Sequence, residues 1–289
     1  MSAQPMANEF SPATAVPTAG PTVRAHAVAG FGFVHAAAIT GVLLLPFSWR
    51  AVAVCAGSYY LRMFGVTAGL HRYFSHRTYR LNRGWQLAMA LLAQTSAQKG
   101  VLWWASHHRH HHRHSDKPSD THSPLQRGFW WSHIGWILSQ EHSATDYGAI
   151  ADFAKYPELR WLNRHYFVPT VVYAALLAAL FGLDGLVYGY LVSTVLLWHG
   201  TFMINSVMHL FGRRVYETND DSRNSFLLAI LTMGEGWHNN HHYYPGTAAQ
   251  GFRWWEIDPS YYLLCLLERL GIVHDLRHRP GPIRRQQPG

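Results

Sequence analysis

The chain of 289 residues is rich in apolar side chains, at 48%, while only 14% of its residues are charged, against about 25% in an average soluble domain. The mean hydropathy is nevertheless −0.09, so the apolar residues must be concentrated in segments. The two cysteines, Cys55 and Cys265, exclude a disulfide framework, a cysteine-held zinc site and an iron–sulfur cluster. Any metal is therefore held by nitrogen and oxygen ligands.

Four apolar segments account for this composition. They occupy residues 27–46, 51–70, 167–183 and 186–204, and short turns join them in two pairs. A helix needs about 20 apolar residues to cross the hydrocarbon core of a membrane. Four buried helices of a large soluble protein are the alternative, but the pairing into tight hairpins favours a membrane. We therefore predict an all-α integral membrane protein with four transmembrane helices in two hairpins.

The remaining segments define the predicted domain boundaries. Residues 1–26 are rich in Ala, Pro and Thr, and they lack the order of a signal peptide. This composition predicts a disordered N-terminal tail. One membrane domain is then expected over residues 27–275, followed by a basic tail over residues 276–289.

Basic residues set the predicted orientation. Of the 24 Lys and Arg residues, 12 lie in residues 71–165 and nine in residues 205–289, whereas the hairpin turns carry only Arg50. The positive-inside rule then places both termini and the long middle loop in the cytoplasm, and the expected location is a bacterial inner membrane. Because topology explains the net charge of +8, no nucleic-acid partner is expected.

Histidines are the most informative residues of the middle loop. Residues 105–116 read ASHHRHHHRHSD, and two helical faces of this stretch compete for a metal. Four histidines share one face, at positions 107, 110, 111 and 114. Three share the other face: His108, His111 and His112. Geometry alone slightly favours the face with four imidazoles.

The spacing of the second face, H-x-x-H-H, recurs near the C-terminus. In GEGWHNNHH it is formed by His238, His241 and His242. Two matched segments favour a metal site over a solvated basic stretch, which is the alternative for an isolated run. His71 and His76 follow the second apolar segment and His209 follows the fourth. These histidines can therefore converge just outside the bilayer.

Together, five motifs resemble the membrane-bound Δ9 fatty acyl desaturases, of the stearoyl-CoA desaturase type and its bacterial relatives. The motifs are HRYFSH, H-R-x-H-H from His108, RGFWWSHIGWIL, NSVMHLFG and GEGWHNNHH, and the resemblance covers residues 65–255. It implies a cytoplasmic helical cap that carries a non-haem di-iron centre. The implied ligands are His71, His76, His108, His111, His112, His209, His238, His241 and His242, with Asn205 acting through water. The histidines at positions 107, 110 and 114 fall where the family tolerates other residues.

Carboxylates are expected to orient the ligand imidazoles by accepting their second N–H. The acids nearest in sequence to the histidine motifs are Asp116, Asp120 and Glu235. Two histidines within the apolar segments, His35 and His199, are expected to hydrogen-bond inside the helix bundle. His274 and His278 are assigned to a basic tail.

The resemblance implies an oxidoreductase that introduces a cis double bond, at Δ9, into a saturated acyl chain carried by coenzyme A, using O2 and two electrons. An acyl-lipid substrate is one alternative, and hydroxylation by a related histidine-box enzyme is another. A metal transporter or sensor is the non-enzymatic alternative, but its ligands would lie at mid-membrane. The sequence has no G-x-G-x-x-G motif and no cysteine cluster. An external ferredoxin or cytochrome-type carrier with its reductase is therefore an expected partner.

Candidate substrate-binding residues follow from helical spacing. Positions 67, 63 and 60 descend from His71 on one face, so Met63, Tyr60 and the adjacent Tyr59 are predicted to close an acyl tunnel. The alternative is that they only pack against a neighbouring helix. Candidate tunnel walls are the tryptophans Trp103, Trp104, Trp130, Trp131, Trp254 and Trp255. An interfacial aromatic belt explains these tryptophans equally well.

Overall fold

The computed structural model describes residues 22–279 and residue 281. Over these residues the protein is helical, with four isolated β-bridges and no strand, which confirms the predicted all-α class. The helices are α1 Ala25–Leu44, α2 Trp49–Phe64, α3 Arg83–Gln94, α4 Val101–His114, α5 Pro124–Arg127, α6 Trp136–Leu138, α7 Ala151–Ala154, α8 Pro157–Arg164, α9 Phe167–Asp184, α10 Ser193–Ser206, α11 Phe226–Leu231, α12 His238–Tyr243 and α13 Pro259–Arg269. Three π-helical segments join or extend them: Gly65–Ser75, Trp131–Gly135 and Gly185–Val192.

Two helical runs are long and apolar enough to cross a membrane. They are Ala25–Leu44 and the 43-residue run Phe167–His209. The second run turns at Gly182, where φ is +64°, a backbone conformation that favours glycine. Just beyond it, a side chain at Gly185 would collide with the Leu177 carbonyl oxygen. The run thus folds back on itself, with α9 packed against the following helix.

The second predicted membrane segment, residues 51–70, lies on α2 and on the π-helix that follows it. The charged residue of this segment, Arg62, is completely buried. The guanidinium donates hydrogen bonds to Thr194 Oγ1 at 2.7 Å and to the Thr95 carbonyl at 3.3 Å. Length and composition therefore identify two candidate membrane-spanning runs, and the layout of four helices in two hairpins stays a prediction.

The π-helical segment Gly65–Ser75 carries His71 from α2 toward the histidine-rich region. It is anchored by Arg72, which is buried and forms ion pairs with Glu235 at 3.2 Å and with Asp258 at 3.0 Å. Arg72 also donates to the Ala248 carbonyl at 2.9 Å. Removing one partner of such a buried pair is strongly destabilising. This cation therefore fixes the end of α2 against the chain around α12.

The predicted bundle contacts of His35 and His199 are confirmed. Their Nε2 atoms lie 3.0 Å apart, and His199 Nδ1 lies 3.0 Å from His133 Nε2. His133 Nδ1 in turn contacts Ser206 Oγ at 2.9 Å. This polar chain ties α1 to α10 and to the π-helical segment Trp131–Gly135.

The predicted domain boundaries lie at the limits of what the structure describes. Most of the N-terminal tail lies outside the described residues, and α1 begins at Ala25. At the other end, Leu276 is buried and Arg277 pairs with Thr78 and Ala248 through backbone hydrogen bonds. Residue 280 and residues 282–289 lie outside the described chain. The division into two tails and one domain stays a prediction.

Two histidines assigned to the basic tail take part in the folded region. The backbone of His274 is hydrogen-bonded to that of Arg80. His278 contacts Tyr261 Oη at 3.0 Å and Glu268 at 3.1 Å.

Candidate metal centre

Nine of the histidines named above form two compact groups. In the first histidine cluster, five ring nitrogens lie within 4.8 Å of one another; they belong to His71, His76, His108, His112 and His241. The closest approaches are between Nε2 atoms, at 2.9 to 3.0 Å. His71 and His76 come from the π-helical segment Gly65–Ser75 and its C-terminal end, His108 and His112 from α4, and His241 from α12. Segments far apart in the sequence therefore supply a single site.

The second histidine cluster contains the other four. Their ring nitrogens also lie within 4.8 Å of one another, in His111, His209, His238 and His242. The Nε2 atoms of His209 and His238 are 3.0 Å apart. The rings of His112 and His242 are stacked at 4.5 Å, so the two clusters are neighbours.

Each of the two H-x-x-H-H motifs contributes histidines to both clusters. On α4, the first and last histidines of the motif, His108 and His112, enter the first cluster, whereas His111 enters the second. On α12 the roles are exchanged: His241 enters the first cluster, while His238 and His242 enter the second. Residues four apart lie on one helix face and the residue between them lies on an adjacent one. Each short helix therefore supplies both sites.

Carboxylates contact the Nδ1 atoms of four of these imidazoles. Nδ1 of His111 lies 2.9 Å from Asp120, that of His209 lies 2.8 Å from Asp116, and that of His242 lies 2.6 Å from Asp220. His71 Nδ1 contacts Glu235. A carboxylate that accepts the Nδ1–H fixes the tautomer and directs the Nε2 lone pair away from it.

Three of these four acids are the ones nearest in sequence to the histidine motifs, but their pairing was not predictable from the sequence. Asp220 was missed altogether. It lies in the loop TNDDSRN between the second apolar hairpin and α12, and no spacing rule separates it from its neighbour Asp221.

The protonation states favour a cation between the imidazoles. Burial holds the pKa values of His76, His108 and His112 well below the usual imidazole value, and neighbouring imidazoles lower them further. The pKa values of His238 and His241 are lowered for the same reasons. A neutral imidazole has one N–H and one ring nitrogen with a free lone pair, so each of these rings can offer one nitrogen ligand to a cation.

His111 and His242 each have a buried ring nitrogen that no protein group satisfies. In each, Nδ1 faces a carboxylate, and the buried Nε2 atom has no hydrogen-bond partner. Burial acts to lower the pKa of His111, but Asp120 outweighs it and raises the pKa, which makes this imidazole a stronger base. Imidazole nitrogen suits iron, zinc and copper. The residues present therefore fit a pair of transition-metal ions, one in each cluster.

The three histidines that belong only to the competing face contact backbone carbonyl groups. His107 Nε2 lies 3.0 Å from the Ala144 carbonyl, and His110 Nε2 lies 2.8 Å from the Ser119 carbonyl. His114 Nδ1 contacts the His110 carbonyl at 3.1 Å. None of the three belongs to either cluster.

His122 is a buried histidine that the sequence analysis did not single out. Its ring lies 4.2 Å from that of His111, and its backbone N–H donates to Asp120. With His111 and Asp120 it forms a third group of potential ligands. Because Asp120 already faces His111 Nδ1, we regard this group as support for the second cluster. A lone histidine after the cluster, in DTHSP, gave no spacing signal.

A narrow cavity of about 30 Å³ lies against both clusters. Its wall includes Met63 and Trp104, and Asn205 lies beside His108 and His111. A side chain at Gly200 would meet both Tyr59 Oη, at 3.0 Å, and Met63 Cε, at 3.3 Å. Met63 thus lines the cavity and Tyr59 lies near it, while their role as a tunnel floor stays a prediction.

The other proposed tunnel residues lie away from this cavity. Tyr60 is 40% exposed and Trp254 is 83% exposed on the outer surface. Trp103 packs with Trp131 and Trp136 in a separate aromatic group. Helical spacing placed Tyr60 on the same face as Met63, but on α2 Met63 is buried and Tyr60 is exposed. The α-helical spacing also does not continue to His71, because the π-helical segment begins at Gly65.

Two further spaces lie in sequence next to this cavity. A second small space shares Trp104 and His108 with it, and shares Ile137 and Phe202 with an outer cleft of about 260 Å³. The lining of this cleft includes Arg24 and Lys99, and Lys99 Nζ is buried 3.8 Å from the Trp103 ring. Burial, with a smaller contribution from Arg24, lowers the pKa of Lys99 to about 7.

Comparison with known proteins agrees with this arrangement. The family model for fatty acid desaturases matches residues 23–264. The sn-2 palmitoyl-lipid 9-desaturase of Nostoc sp. (strain 36) is 37% identical, over 90% of this chain and 92% of its own. The acyl-CoA C20 Delta5-desaturase of Anemone leveillei is 37% identical, over 80% of this chain and 75% of its own. An sn-1 stearoyl-lipid 9-desaturase of Anabaena variabilis is 34% identical, over 84% and 90%. The chain belongs to the fatty acid desaturase family, as the motifs predicted.

The two histidine faces of α4 can be separated by alanine substitution. His108→Ala, His111→Ala and His112→Ala should each abolish desaturation and lower the iron content, because each removes an imidazole from a cluster. His107→Ala, His110→Ala and His114→Ala should retain most of the activity. Product formation and bound iron are measured on purified variants. Equal losses at the neighbouring positions His110 and His111 would show that the wrong face has been assigned.

Asp220 provides a test of the carboxylates. Asp220→Asn should lower iron affinity or activity by roughly 10- to 100-fold, since the carboxylate behind His242 loses its charge. Asp221→Asn is the matched control, because Asp221 pairs with Arg214 and Arg223 at the surface rather than with a clustered histidine. Iron titration of both apoproteins gives the comparison. Identical affinities would remove Asp220 from the site.

Proposed function

We propose that the chain is an O2-dependent desaturase that introduces a cis Δ9 double bond into a saturated acyl chain. The observation that carries the proposal is the pair of buried imidazole clusters beside a narrow, mainly apolar cavity. The nine clustered histidines, with Asn205 alongside, would hold two iron ions. When bound, these ions supply the oxidising power, drawn from O2 and two electrons, that breaks unactivated C–H bonds. The balance is one saturated chain, O2, two electrons and two protons, giving the alkene and two water molecules.

The residues of the chain position the substrate and tune the site. The carboxylates of Asp116, Asp120, Asp220 and Glu235 orient the imidazoles toward the clusters. Trp104 stacks on His108 with ring centroids 4.8 Å apart, and it donates to Gln98 from its indole nitrogen. It would hold an acyl chain against the first cluster and keep water out. The proposed setting is a bacterial inner membrane, with the site and both termini on the cytoplasmic side.

Coenzyme A is the carrier expected from the sequence motifs, and the guanidinium of Arg24, which lines the outer cleft, suits its phosphates. A membrane lipid is the second candidate. It is favoured by the relatives from Nostoc and Anabaena, whose names specify acyl lipids. The phosphate of a lipid headgroup would suit the same guanidinium.

One experiment distinguishes the carriers and the reaction. The gene is expressed in a host that lacks unsaturated fatty acids, and mass spectrometry identifies double-bond position and lipid class over time. Unsaturated chains that appear first in acyl-CoA support coenzyme A as the carrier. Unsaturated chains that appear first at one glycerol position of intact lipid support the second candidate. Hydroxylated chains in place of alkenes would contradict desaturation.

An external electron carrier is part of the proposal. Purified protein with acyl substrate, O2 and NADPH alone should form no product, and addition of a ferredoxin or cytochrome-type carrier with its reductase should restore turnover. Product is measured by gas chromatography. Turnover without the carrier would mean that the chain contains a redox site of its own.

Met63 is predicted to limit the length of the acyl chain. Met63→Ala should deepen the cavity by a few methylene groups and shift preference toward longer chains among C14 to C20 substrates. The double bond should stay at the same distance from the carboxyl end, because that distance is set on the other side of the clusters. Tyr60→Ala is the matched control, since Tyr60 is exposed and does not line the cavity. An unchanged length profile in Met63→Ala would remove Met63 from the substrate path.

A further inference from the structure

The cap carries a row of exposed apolar side chains that the proposed reaction does not use. They come from α11, from residues 254–257 and from α13, and we call them the outer apolar face. Its members are Phe226, Leu227, Leu231, Trp254, Trp255, Ile257, Tyr262, Leu263, Leu266 and Leu270, each at least 37% exposed. Contiguous exposed apolar surface of this kind marks a contact with another protein or with a membrane.

The end of α11 contacts two of the apolar segments. Tyr59 Oη on α2 donates to the Leu231 carbonyl at 2.8 Å. The next residue, Thr232, lies 3.7 Å from the Cβ position of Gly200. Gly200 belongs to the run Phe167–His209, which is long and apolar enough to cross a membrane. An exposed leucine beside such segments is suited to hydrocarbon rather than water.

Helix α13 lies beside this end of α11. Ser260 donates its N–H to the Met233 carbonyl at 3.2 Å, and its hydroxyl contacts Thr67 Oγ1 at 2.6 Å. The inner side of the helix is buried at Tyr261 and Leu264, while the outer side exposes leucines. The helix is therefore apolar on its outer side as well as on its inner side, and the outer side is directed away from the protein.

The charges of these segments are compatible with a lipid surface. The acidic residues are buried or paired: Glu256 accepts from Asn240, Asp258 pairs with Arg72, and Glu268 pairs with His278. Basic side chains border the face, with Arg253 over the ring of Trp255 and Arg269 exposed at the end of α13. Aromatic rings bordered by Arg are typical of the zone between headgroups and hydrocarbon.

We propose that the outer apolar face is embedded in the lipid leaflet on the side of the histidine clusters. Its partner is the acyl region of that leaflet, and Arg253 and Arg269 reach to the headgroups. The cap is then held on the bilayer by α11 and α13 as well as by the membrane-spanning runs. Trp254 and Trp255 belong to an aromatic belt, the alternative to tunnel walls that the sequence left open.

Membrane depth tests this surface without any turnover. In a background with Cys55→Ser and Cys265→Ser, nitroxide labels are placed by Leu227→Cys and Leu266→Cys, and the protein is reconstituted in phosphatidylcholine–phosphatidylglycerol vesicles. Leu43→Cys on α1 is the lipid reference, and Lys117→Cys, an exposed residue of the cap, is the water reference. Both test labels should collide with O2 several-fold more, relative to a water-soluble nickel chelate, than the label at position 117, as the label at position 43 does.

Two results would overturn the proposal. One is a collision ratio at both test positions equal to that at position 117. The other is low collision with both reagents together with concentration-dependent spin–spin broadening, which would identify a second copy of the chain as the partner. If a labelled variant does not fold, brominated lipid provides a second measurement. It should quench the fluorescence component that Trp254→Phe removes, and no quenching of that component would contradict the inference.

Discussion

The structure is governed by one constraint, which is the burial of nine imidazoles whose ring nitrogens converge in two clusters. This burial is costly. A buried polar group without a partner costs about 1–3 kcal/mol, and a whole domain is stable by only about 5–15 kcal/mol. Unpartnered buried nitrogens such as those of His111 and His242 would therefore consume part of this stability. A cation in each cluster would remove this cost, and metal binding would then be coupled to folding.

The same constraint explains the supporting framework. Arg72 joins the end of α2 to Glu235 and Asp258, so the segment bearing His71 is fixed against the segment that leads into α12. Glu235 serves both Arg72 and His71. Asn239 and Asn240, between the histidines of α12, are fully buried and bonded to Asn224. The metal ligands are thus held by a polar network, while the adjoining cavity supplies the apolar surface that an acyl chain needs.

Much of this arrangement was accessible from the sequence. The repeated H-x-x-H-H spacing selected His108 and His112 over His107, His110 and His114, because a repeat constrains the helix face more than the density of histidines does. Apolar runs predicted helices, since about 20 apolar residues have few other stable arrangements. The assignment of individual histidines to two clusters was out of reach, because it depends on how α4 and α12 approach each other.

Other features required three-dimensional information for identifiable reasons. Asp220 and Asp221 are chemically identical neighbours, and only the loop geometry turns Asp220 toward His242. The exposure of Tyr60 and Trp254 is likewise set by which neighbouring segments cover them, and a single sequence does not reveal this. Arg62 appeared to interrupt a membrane helix, but buried hydroxyl and carbonyl groups on neighbouring helices accept its hydrogen bonds.

The central claim is that nine histidines hold two iron ions in two separate clusters. Its most direct test is anomalous diffraction at the iron absorption edge from crystals of the iron-loaded protein. We predict two anomalous peaks per chain: one among His71, His76, His108, His112 and His241, and one among His111, His209, His238 and His242. A single peak, or a peak beside His110 and His114, would contradict the account.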